Sequence, residues 1–499
     1  MSDADARMVL ADGRGALVWR SIVADTETPV STALKLIEPG RGDFLLESVE
    51  GGRSRGRYSL LGLAPDLVFR ADGDGAAINR DWAHDRDAFA GAGEPIGALR
   101  ALVAECRLDV PPELPPALAV LVGYFAYETV GLIERLPRPP ANPIGLPDMM
   151  FVRPTLILVF DRLADQLFFV APVWPNGDVD RAIERIETAM AKLVAPAKTG
   201  AAHDGRARTL AVPVSAGTTP VLDAARYAAM VATAQNYIAA GDIFQVVLAQ
   251  RFTTPFALPP FDLYRALRRI NPSPFLYHLD LPGFALIGSS PEILVRVRDG
   301  EVTIRPIAGT RPRGKSERED ADNRAELLAD PKECAEHLML LDLGRNDVGR
   351  VTEGGSVTVT DSYMVEFYSH VMHIVSNVTG RLAAGKDALD ALFAGFPAGT
   401  VSGAPKVRAC EIIAELEPET RGAYAGGVGY FSPDGSMDSC IVLRTAVVKD
   451  GTMHVQAGAG IVADSLPENE QRECEAKSGA LFAAAREAIR LAGEAGFGQ

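Results

Sequence analysis

Two acidic stretches, far apart in the chain, hold the side chains best suited to chemistry. The first is the segment 330–347, where Asp330 can cap a helix and Glu333, Glu336 and His337 follow at helical spacing. Side chains at positions i, i+3 and i+4 share one face of a helix. The pattern therefore predicts two carboxylates and an imidazole side by side.

The second stretch is the segment 464–477, where Ser465 can cap a helix that presents Glu470, Glu473 and Lys477 on one face. If the two helices face each other, carboxylates about 4 Å apart repel by roughly 4 kcal/mol at an effective dielectric constant of about 20. Such a cluster needs a cation, and all-oxygen ligands favour Mg²⁺ over zinc. Either stretch alone is more often a solvated helix face, so the predicted metal site depends on the pair.

The composition is that of a folded, acidic protein. The chain has 499 residues, too many for one simple core, and its 47% hydrophobic and 23% charged residues are typical of globular proteins. Its formal net charge of −15 argues against nucleic acid or an anionic membrane surface as the main partner. An anionic substrate would therefore need a local basic group or a metal ion.

The cysteines and the N-terminus predict a cytoplasmic location. The five cysteines are widely spaced, with no C-x-x-C pair, which suits a reducing compartment. The chain opens without a basic and apolar signal pattern, and no apolar run reaches about 18 residues. Neither secretion nor a membrane span is expected.

Strand and helix patterns come in blocks rather than in strict alternation. Apolar patterning predicts strands at 16–19, 44–48, 58–63, 67–70, 156–160, 167–172, 244–252, 275–279, 284–289, 293–297, 302–306, 426–431, 439–448 and 453–459. Helical periodicity predicts helices at 178–194, 222–240, 261–270, 321–345, 386–394, 404–416 and 467–493. Such blocks favour an α+β fold over a doubly wound sheet. The stretch 196–221, rich in Ala, Gly, Thr and Pro, predicts a linker between regions 1–195 and 222–495.

A phosphate-binding pattern, G-x-x-x-x-G-K-S, occurs at 309–316 and makes a nucleoside-triphosphatase a remote alternative. A phosphate loop uses consecutive backbone N–H donors, and Pro312 removes one of them in the middle. The acidic strand that should accompany the loop would be 338–342, which lies inside the predicted capped helix. The pattern is therefore interpreted as coincidental.

Seven motifs occur in an order that resembles the chorismate-utilising enzymes, most closely their anthranilate-forming branch. They are SPE at 290–292, PIAGTR at 306–311, the acidic segment 330–347, SHVMH at 369–373, FPAGTVSGAPK at 396–406, IVLRT at 441–445 and GAGIVADS at 458–465. The resemblance is strong over 222–490 and moderate before it. It implies a large composite sandwich of antiparallel β-sheets with flanking helices.

The resemblance also implies a lyase reaction on chorismate. Ammonia is added at C2 of the ring, the C4 hydroxyl is lost, and pyruvate is then eliminated to leave anthranilate. Chorismate carries two carboxylates, so Mg²⁺ held by Glu336 and Glu473, and supported by Glu333 and Glu470, would neutralise the ring carboxylate.

The same resemblance assigns catalytic and substrate-binding residues. Loss of hydroxide needs a proton donor, and Glu292 stands at the family's general-acid position. His373 matches the histidine associated with removal of the C2 proton and loss of pyruvate. The positions that match substrate contacts are Ala308, Gly309, Thr310, Thr400, Tyr424, Arg444, Gly458, Ala459, Gly460 and Lys477.

Two positions separate the branches of the family. Enzymes that add water carry a lysine where Gln245 stands, and a glutamine cannot deprotonate water. Many aminodeoxychorismate synthases carry a nucleophilic lysine where Ala308 stands, and an alanine cannot form a covalent adduct. Anthranilate formation is favoured, with aminodeoxyisochorismate or aminodeoxychorismate synthesis as alternatives.

Ammonia is expected to come from another chain. No stretch resembles a glutamine amidotransferase, and no cysteine lies in a Gly-x-Cys-x-Gly turn. The resemblance therefore implies a hetero-oligomer with a glutaminase subunit, and neither nucleic acid nor a membrane as a partner.

The resemblance further implies feedback inhibition by tryptophan, sensed in part by the N-terminal region. Glu47 can pair with the amino group, Ser48 can form a hydrogen bond, and Pro274 can pack against the indole ring. The complete set of matching positions is Glu47, Ser48, Tyr58, Pro274, Phe275 and Leu276.

Overall fold

Antiparallel strands form most of the framework in the computed structural model, which describes residues 3–50, 54–137, 141–195, 219–368 and 371–493. The strands are β1 (Ala16–Val23), β2 (Phe44–Glu50), β3 (Ser54–Asp72), β4 (Gly75–Asn79), β5 (Phe89–Gly93), β6 (Leu121–Phe125), β7 (Met149–Asp161), β8 (Gln166–Val173), β9 (Thr219–Pro220), β10 (Gln245–Pro255), β11 (Phe275–Leu281), β12 (Phe284–Ser290), β13 (Ile293–Arg298), β14 (Glu301–Ile304), β15 (Ile307–Pro312), β16 (Thr358–Phe367), β17 (Val371–Arg381), β18 (Gly403–Ala404), β19 (Gly427–Phe431), β20 (Met437–Ile441), β21 (Thr445–Lys449) and β22 (Thr452–Ile461).

Helices flank these strands. The α-helices are α1 (Asp3–Ala11), α2 (Pro29–Leu36), α3 (Pro95–Glu105), α4 (Val179–Val194), α5 (Ala224–Ala240), α6 (Pro260–Ile270), α7 (Glu317–Ala329), α8 (Pro331–Gly349), α9 (Ala388–Gly395), α10 (Lys406–Leu416) and α11 (Pro467–Ala492). Two short 3₁₀ turns lie at Tyr127–Leu132 and Gly399–Val401. In the described ranges, no helix is both long and apolar enough to span a membrane.

Two strand pairings join the N-terminal and C-terminal regions. β2 pairs with β11, with Glu47 opposite Leu276, and β6 pairs with β19, with Tyr124 opposite Val428. All the strands of the described ranges belong to one hydrogen-bonded network, and the pairings between its long strands are antiparallel. The predicted α+β class is confirmed. The predicted boundary at 196–221 falls largely on residues 196–218, which lie outside the described residues, so the domain division stays a prediction.

An aromatic cluster fills the core where β6, β7 and β19 meet. The ring centroids of Phe125 and Phe151 are 4.9 Å apart, and those of Phe151 and Phe431 are 6.0 Å apart. These rings are almost fully removed from water, and buried aromatic pairs of this kind dominate core energetics. The β6–β19 pairing between the two regions is therefore backed by a shared apolar core.

Helix α8 begins as its sequence predicts. The Asp330 carboxylate accepts hydrogen bonds from the backbone N–H groups of Lys332 (2.9 Å) and Glu333 (3.3 Å). One turn later, His337 is fully buried, with Nε2 2.6 Å from the Ser376 hydroxyl of β17. A capped first turn and a buried anchor fix the rotation of the helix, and with it the direction of its acidic face.

Several predicted element boundaries are wrong. The segments 58–63 and 67–70 belong to the single strand β3, whereas 439–448 is split into β20 and β21. Strands β15, β16 and β17 were not predicted. Most β16 side chains are exposed or half-buried, so this strand lacks the apolar alternation that marks a half-buried strand.

Candidate active site

Glu292 lies at the turn between β12 and β13, where its carboxyl group is withdrawn from water. The Ile441 N–H donates to the Glu292 carbonyl at 3.0 Å, which fixes the turn against β20. Its carboxyl has one side-chain partner in the described part of the chain, the Thr400 hydroxyl, 3.1 Å from Oε1. Burial raises the pKa of Glu292 to about 8, and the bond from Thr400 offsets this only in part. Glu292 is therefore protonated at neutral pH, as a general acid must be.

His373 lies on β17 with its ring against β15. Its Nδ1 is 3.0 Å from the Gly309 carbonyl and 3.1 Å from the Thr310 hydroxyl oxygen. A carbonyl only accepts, so the neutral ring carries its proton on Nδ1 and Nε2 is the basic nitrogen. Burial lowers the pKa of His373 to about 4, so the ring is neutral at physiological pH. The arrangement suits a general base.

Gly309 lets the backbone pass between His373 and α8. Its φ is +69°, and a Cβ there would lie 3.1 Å from Oε2 of Glu333, so a side chain would be both strained and crowded. Ala308 is buried in the same strand, opposite Ile374 of β17. Because 309–312 belongs to an antiparallel strand, it is not a phosphate-binding loop. The geometric basis of the nucleoside-triphosphatase alternative is thereby removed.

Arg444 supplies a positive charge that has no partner in the described residues. It lies between β20 and β21 with φ +46°, and its carbonyl accepts from the Ser289 N–H at 3.1 Å. Its guanidinium makes no hydrogen bond or ion pair there; burial lowers the pKa of Arg444, and the phenol of Tyr368 acts in the opposite direction. A largely buried, unpaired guanidinium is costly and fits an anionic ligand such as a carboxylate.

The 458–460 segment of β22 brings further predicted residues together. A Cβ at Gly458 would lie 2.8 Å from the Tyr424 hydroxyl, and one at Gly460 would lie 2.4 Å from the Gln245 side-chain nitrogen. Only glycine allows these close approaches. Lys477 of α11 donates to the Gly458 carbonyl at 2.9 Å, so the acidic helix and the glycine-rich strand are directly linked.

Glu336 of α8 and Glu473 of α11 are close enough to interact electrostatically. The pKa of Glu336 is raised, first by burial and then by the charges of Glu333 and Glu473, with Lys477 and Lys332 acting in the opposite direction. Lys477 also forms an ion pair with Glu473 at 2.7 Å. The two predicted acidic faces therefore converge on one region.

The supporting carboxylates differ in their surroundings. Glu333 is paired with Arg311 at 3.0 Å, so its charge is largely compensated. Burial raises the pKa of Glu470, and a hydrogen bond with Ser465 acts against this rise. An ion pair of 3.2 Å between Lys332 and Asp464 connects the start of α8 to the segment before α11.

Glu336 and Glu473 are suited to a divalent ion that takes few protein ligands. Within the described ranges, no group of three or more His, Cys, Asp or Glu side chains is arranged to hold a metal ion by itself. Mg²⁺ commonly takes only one or two carboxylates and completes its shell with water and substrate oxygens. Glu336 is partly buried near a second carboxylate, an electrostatic strain that a bound cation would relieve.

Arg421 is a buried site residue that sequence patterns did not single out. Its guanidinium donates to both oxygens of Glu417 (2.8 and 2.6 Å) and to the carbonyls of Val401 and Val247 (2.7 Å each). It also lies 5.7 Å from the ring centroid of Tyr424. Arg421 thereby fixes the 3₁₀ turn that carries the hydroxyl partner of Glu292. The spacing of Glu417 and Arg421 was visible in the sequence, but such pairs are common on exposed helices.

Glu47, the first predicted tryptophan contact, is a buried carboxylate that accepts four hydrogen bonds from side chains. Its Oε1 accepts from Arg162 (2.5 Å) and Arg268 (3.0 Å), and its Oε2 accepts from Tyr264 (2.6 Å) and Arg268 (2.9 Å). Burial opposes ionisation, but the charges of Arg268 and Arg162 and the Tyr264 bond hold the pKa of Glu47 below its usual value. An incoming amino group would have to displace one of these donors.

The other predicted tryptophan contacts lie around the same strand pair. Ser48 of β2 stands opposite a bulge in β3, where residues 56–58 face this single residue. On the other edge of β2, Glu47 is opposite Leu276, in the segment 274–276. Bulges often lie next to functional sites, and this one includes Tyr58. The strand pairings thus bring Leu276 and the 56–58 bulge to the two edges of β2, while the role of the predicted residues stays a prediction.

This fold, together with the arrangement of its carboxylates, His373 and Arg444, defines a class of enzyme. The chain matches the family of chorismate binding enzymes over residues 45–483, and it belongs to that family. The family resemblance of the seven motifs is confirmed.

Two relatives from different bacteria carry the same name. Anthranilate synthase component 1 from Cereibacter sphaeroides is 50% identical over 97% of this chain and 97% of that protein. The protein of the same name from Thermus thermophilus is 48% identical over 93% of this chain and 96% of its own length. The crystal structure of anthranilate synthase component I from Streptococcus pneumoniae superposes with a TM-score of 0.75 at 35% identity, covering 93% of this chain and 99% of that one. The chain is therefore an enzyme of the chorismate-utilising class.

Proposed function

We propose that this chain converts chorismate and ammonia to anthranilate, pyruvate and water. One observation carries the proposal: Glu292 is a carboxyl group that stays protonated at neutral pH, and it shares its surroundings with the unpaired guanidinium of Arg444. The phenol of Tyr368 interacts electrostatically with both groups, which supports a shared site. Relatives 48–50% identical are named for anthranilate synthesis, in agreement with this chemistry.

In the first half-reaction, Arg444 would hold a carboxylate of chorismate. Glu292 would then give its proton to the departing C4 hydroxyl, so that water leaves as ammonia bonds to C2. Bound Mg²⁺ would supply Lewis-acid neutralisation of the ring carboxylate beside Glu336 and Glu473. Lys477, which contacts both Glu473 and Gly458, would keep the glycine-rich strand aligned with these acids.

In the second half-reaction, Nε2 of His373 would take the C2 proton. The electrons of the C–H bond would complete the aromatic ring while the C3–O bond breaks and pyruvate leaves in its enol form. His373 suits this step because its pKa, lowered by burial to about 4, keeps it neutral and able to accept a proton. An enzyme without this step would stop at an amino intermediate, as an aminodeoxyisochorismate synthase does.

We also propose a glutaminase partner and feedback by tryptophan. The relatives are named component 1, which implies a second component. For feedback, a short series of backbone contacts connects Glu47 to Arg444. Glu47 pairs with Leu276, and Leu276 pairs with Ser289. The Ser289 N–H donates to the carbonyl of Arg444 at 3.1 Å. Tryptophan would inhibit if it bound more tightly to a conformation in which Arg444 is displaced.

The test uses the purified chain with chorismate, ammonium and Mg²⁺, followed by anthranilate fluorescence. We expect product with ammonium, none with glutamine alone, and loss of product with a chelator. Absence of anthranilate with all three components would overturn the proposal. A non-fluorescent amino product would instead assign the aminodeoxyisochorismate branch, and nucleotide hydrolysis would restore the nucleoside-triphosphatase.

A further inference from the structure

Tyr368 lies among the candidate catalytic groups, although no motif singled it out. Its ring centroid is 5.5 Å from that of His373, with an interplanar angle of 64°. Its phenol interacts electrostatically with Glu292 and with Arg444. Only 7% of the residue is exposed, so its ring is a fixed wall of the site.

The hydroxyl of Tyr368 is anchored by a partly exposed ion pair. It donates to Oε2 of Glu366 at 2.9 Å, and Oε1 of Glu366 accepts from Arg305 at 2.5 Å. The Tyr368 carbonyl accepts from Arg313 at 2.8 Å. Since both the hydroxyl and the backbone are held, the ring cannot rotate away without breaking charge-assisted bonds.

Glu366 is also the direct cross-strand neighbour of His373. In the β16–β17 ladder Glu366 stands opposite His373, and in the β15–β17 ladder Thr310 stands opposite the same residue. Opposite residues of an antiparallel pair project from the same face. His373 is therefore held from both sides: Nδ1 is bonded to the Gly309 carbonyl of β15, and Tyr368, just after β16, packs against the ring.

We propose that Glu366 and Tyr368 form a positioning pair for His373, which holds the imidazole so that Nε2 can take the C2 proton in the second half-reaction. This inference rests on the proposed function and deepens it. Neither residue forms or breaks a bond. The pair fixes the angle of the ring, and a displacement of about 1 Å is enough to slow a positioned proton transfer by on the order of a hundredfold.

If Glu366 and Tyr368 position His373, a substitution of either residue should impair aromatisation but not amination. Amination depends on Glu292 and Arg444, which the pair does not hold by hydrogen bonds, whereas aromatisation depends on His373. Tyr368→Phe removes the hydroxyl but keeps the ring, and Glu366→Gln removes the charge that holds it. We expect chorismate consumption to stay within about twofold and anthranilate formation to fall by about tenfold or more, so the amino intermediate accumulates.

A matched control removes the same chemical group elsewhere. Tyr237 of α5 donates its hydroxyl to Glu415 of α10 at 2.6 Å and packs on Arg408, so it has the same tyrosine, glutamate and arginine constellation away from the candidate residues. Tyr237→Phe should leave both half-reactions at the wild-type rates.

The readout is the ratio of amino intermediate to anthranilate, separated by chromatography in a single turnover, together with thermal unfolding of each variant. An increased ratio in Tyr368→Phe or in Glu366→Gln, with amination retained, supports the positioning pair. An unchanged ratio in both variants, or an equal loss of both half-reactions in both, overturns it. A wild-type chain that forms no anthranilate overturns the proposed function instead, and this is seen before any variant is compared.

Discussion

The Thr400 hydroxyl lies 3.1 Å from Oε1 of Glu292, and it is the one polar side chain in contact with this carboxyl in the described residues. Such a sparse environment stabilises the neutral acid far better than the carboxylate.

Glu292→Gln should abolish turnover and yet stabilise the protein at alkaline pH. Loss of the proton donor should lower kcat by about a hundredfold or more. The folded-state pKa is about 8 against an ordinary value of 4.5, so wild-type stability is fully present below 4.5 and declines as pH rises towards 8. The difference in unfolding free energy between variant and wild type should grow by at most roughly 1.4 kcal/mol per pH unit. Urea unfolding at several pH values measures it, with the exposed Glu184→Gln as control; a pH-independent difference would contradict the buried acid.

The pH dependence of turnover should have two limbs of different origin. Amination needs protonated Glu292 and should be lost as pH rises through about 8. Aromatisation needs neutral His373 and should be lost as pH falls through about 4. Separate measurement of chorismate loss and anthranilate gain across this range distinguishes the limbs. Two processes that fall together at both ends would refute the assignment.

His373→Met should uncouple the two half-reactions. The thioether fills similar space but cannot accept the C2 proton, so chorismate should disappear while fluorescence stays low. Mass spectrometry of the product identifies the amino intermediate. Normal anthranilate formation by this variant would remove His373 from the mechanism.

Arg421→Met should destabilise the chain more than the double variant Arg421→Met/Glu417→Leu. The single change leaves a buried carboxylate without its partner, which costs about 3–5 kcal/mol, whereas removing both charges leaves none unpaired. Denaturant unfolding of the two single variants and the double variant forms a complete cycle. Additive losses would show that the pair is not coupled.

Ser48→Phe should blunt tryptophan inhibition while leaving turnover with ammonium intact. The Ser48 hydroxyl lies directly against Gly56, because a Cβ at that glycine would be 1.8 Å from its oxygen. The space beside Gly56 therefore cannot hold a phenylalanine ring. Glu47→Ala should blunt inhibition as well, but it also leaves Arg162 and Arg268 without their shared partner and should lower stability by about 3 kcal/mol or more. Inhibition curves for both variants, with Ser21→Phe at an exposed position of β1 as control, provide the test. Unchanged inhibition in both would remove this site.

Local patterns predicted the elements whose signals are local. The N-cap of α8, the helix α4 and the neighbouring strands β7 and β8 all follow from residues near each other in the chain. Strand β16 was not predicted because most of its side chains are exposed or half-buried, so the apolar alternation is missing. Register shifts also interrupt the ladders that β15 and β16 form with β17. The long-range pairing of β2 with β11 has no local signature at all.

Some residues of the candidate site could likewise be predicted from the sequence, and others could not. Glu292, His373 and Arg444 could be selected because they stand in ordered family motifs. Tyr368 and Arg421 could not, because their importance comes from burial and from partners across the fold: ring contact with His373 in one case, four hydrogen bonds in the other. The saturation of Glu47 by intramolecular donors was equally invisible, since Arg162 and Arg268 are distant in sequence.

The crossings of β2 with β11 and of β6 with β19 bear on how this gene could be divided. A fission point in 196–218 would leave each fragment with bare strand edges and half of an aromatic core, a combination that invites aggregation. Such fragments are expected to fold only when both are present, because each supplies the strands that pair with the edges of the other. The regions on either side of residues 196–218 are therefore expected to fold as one cooperative unit.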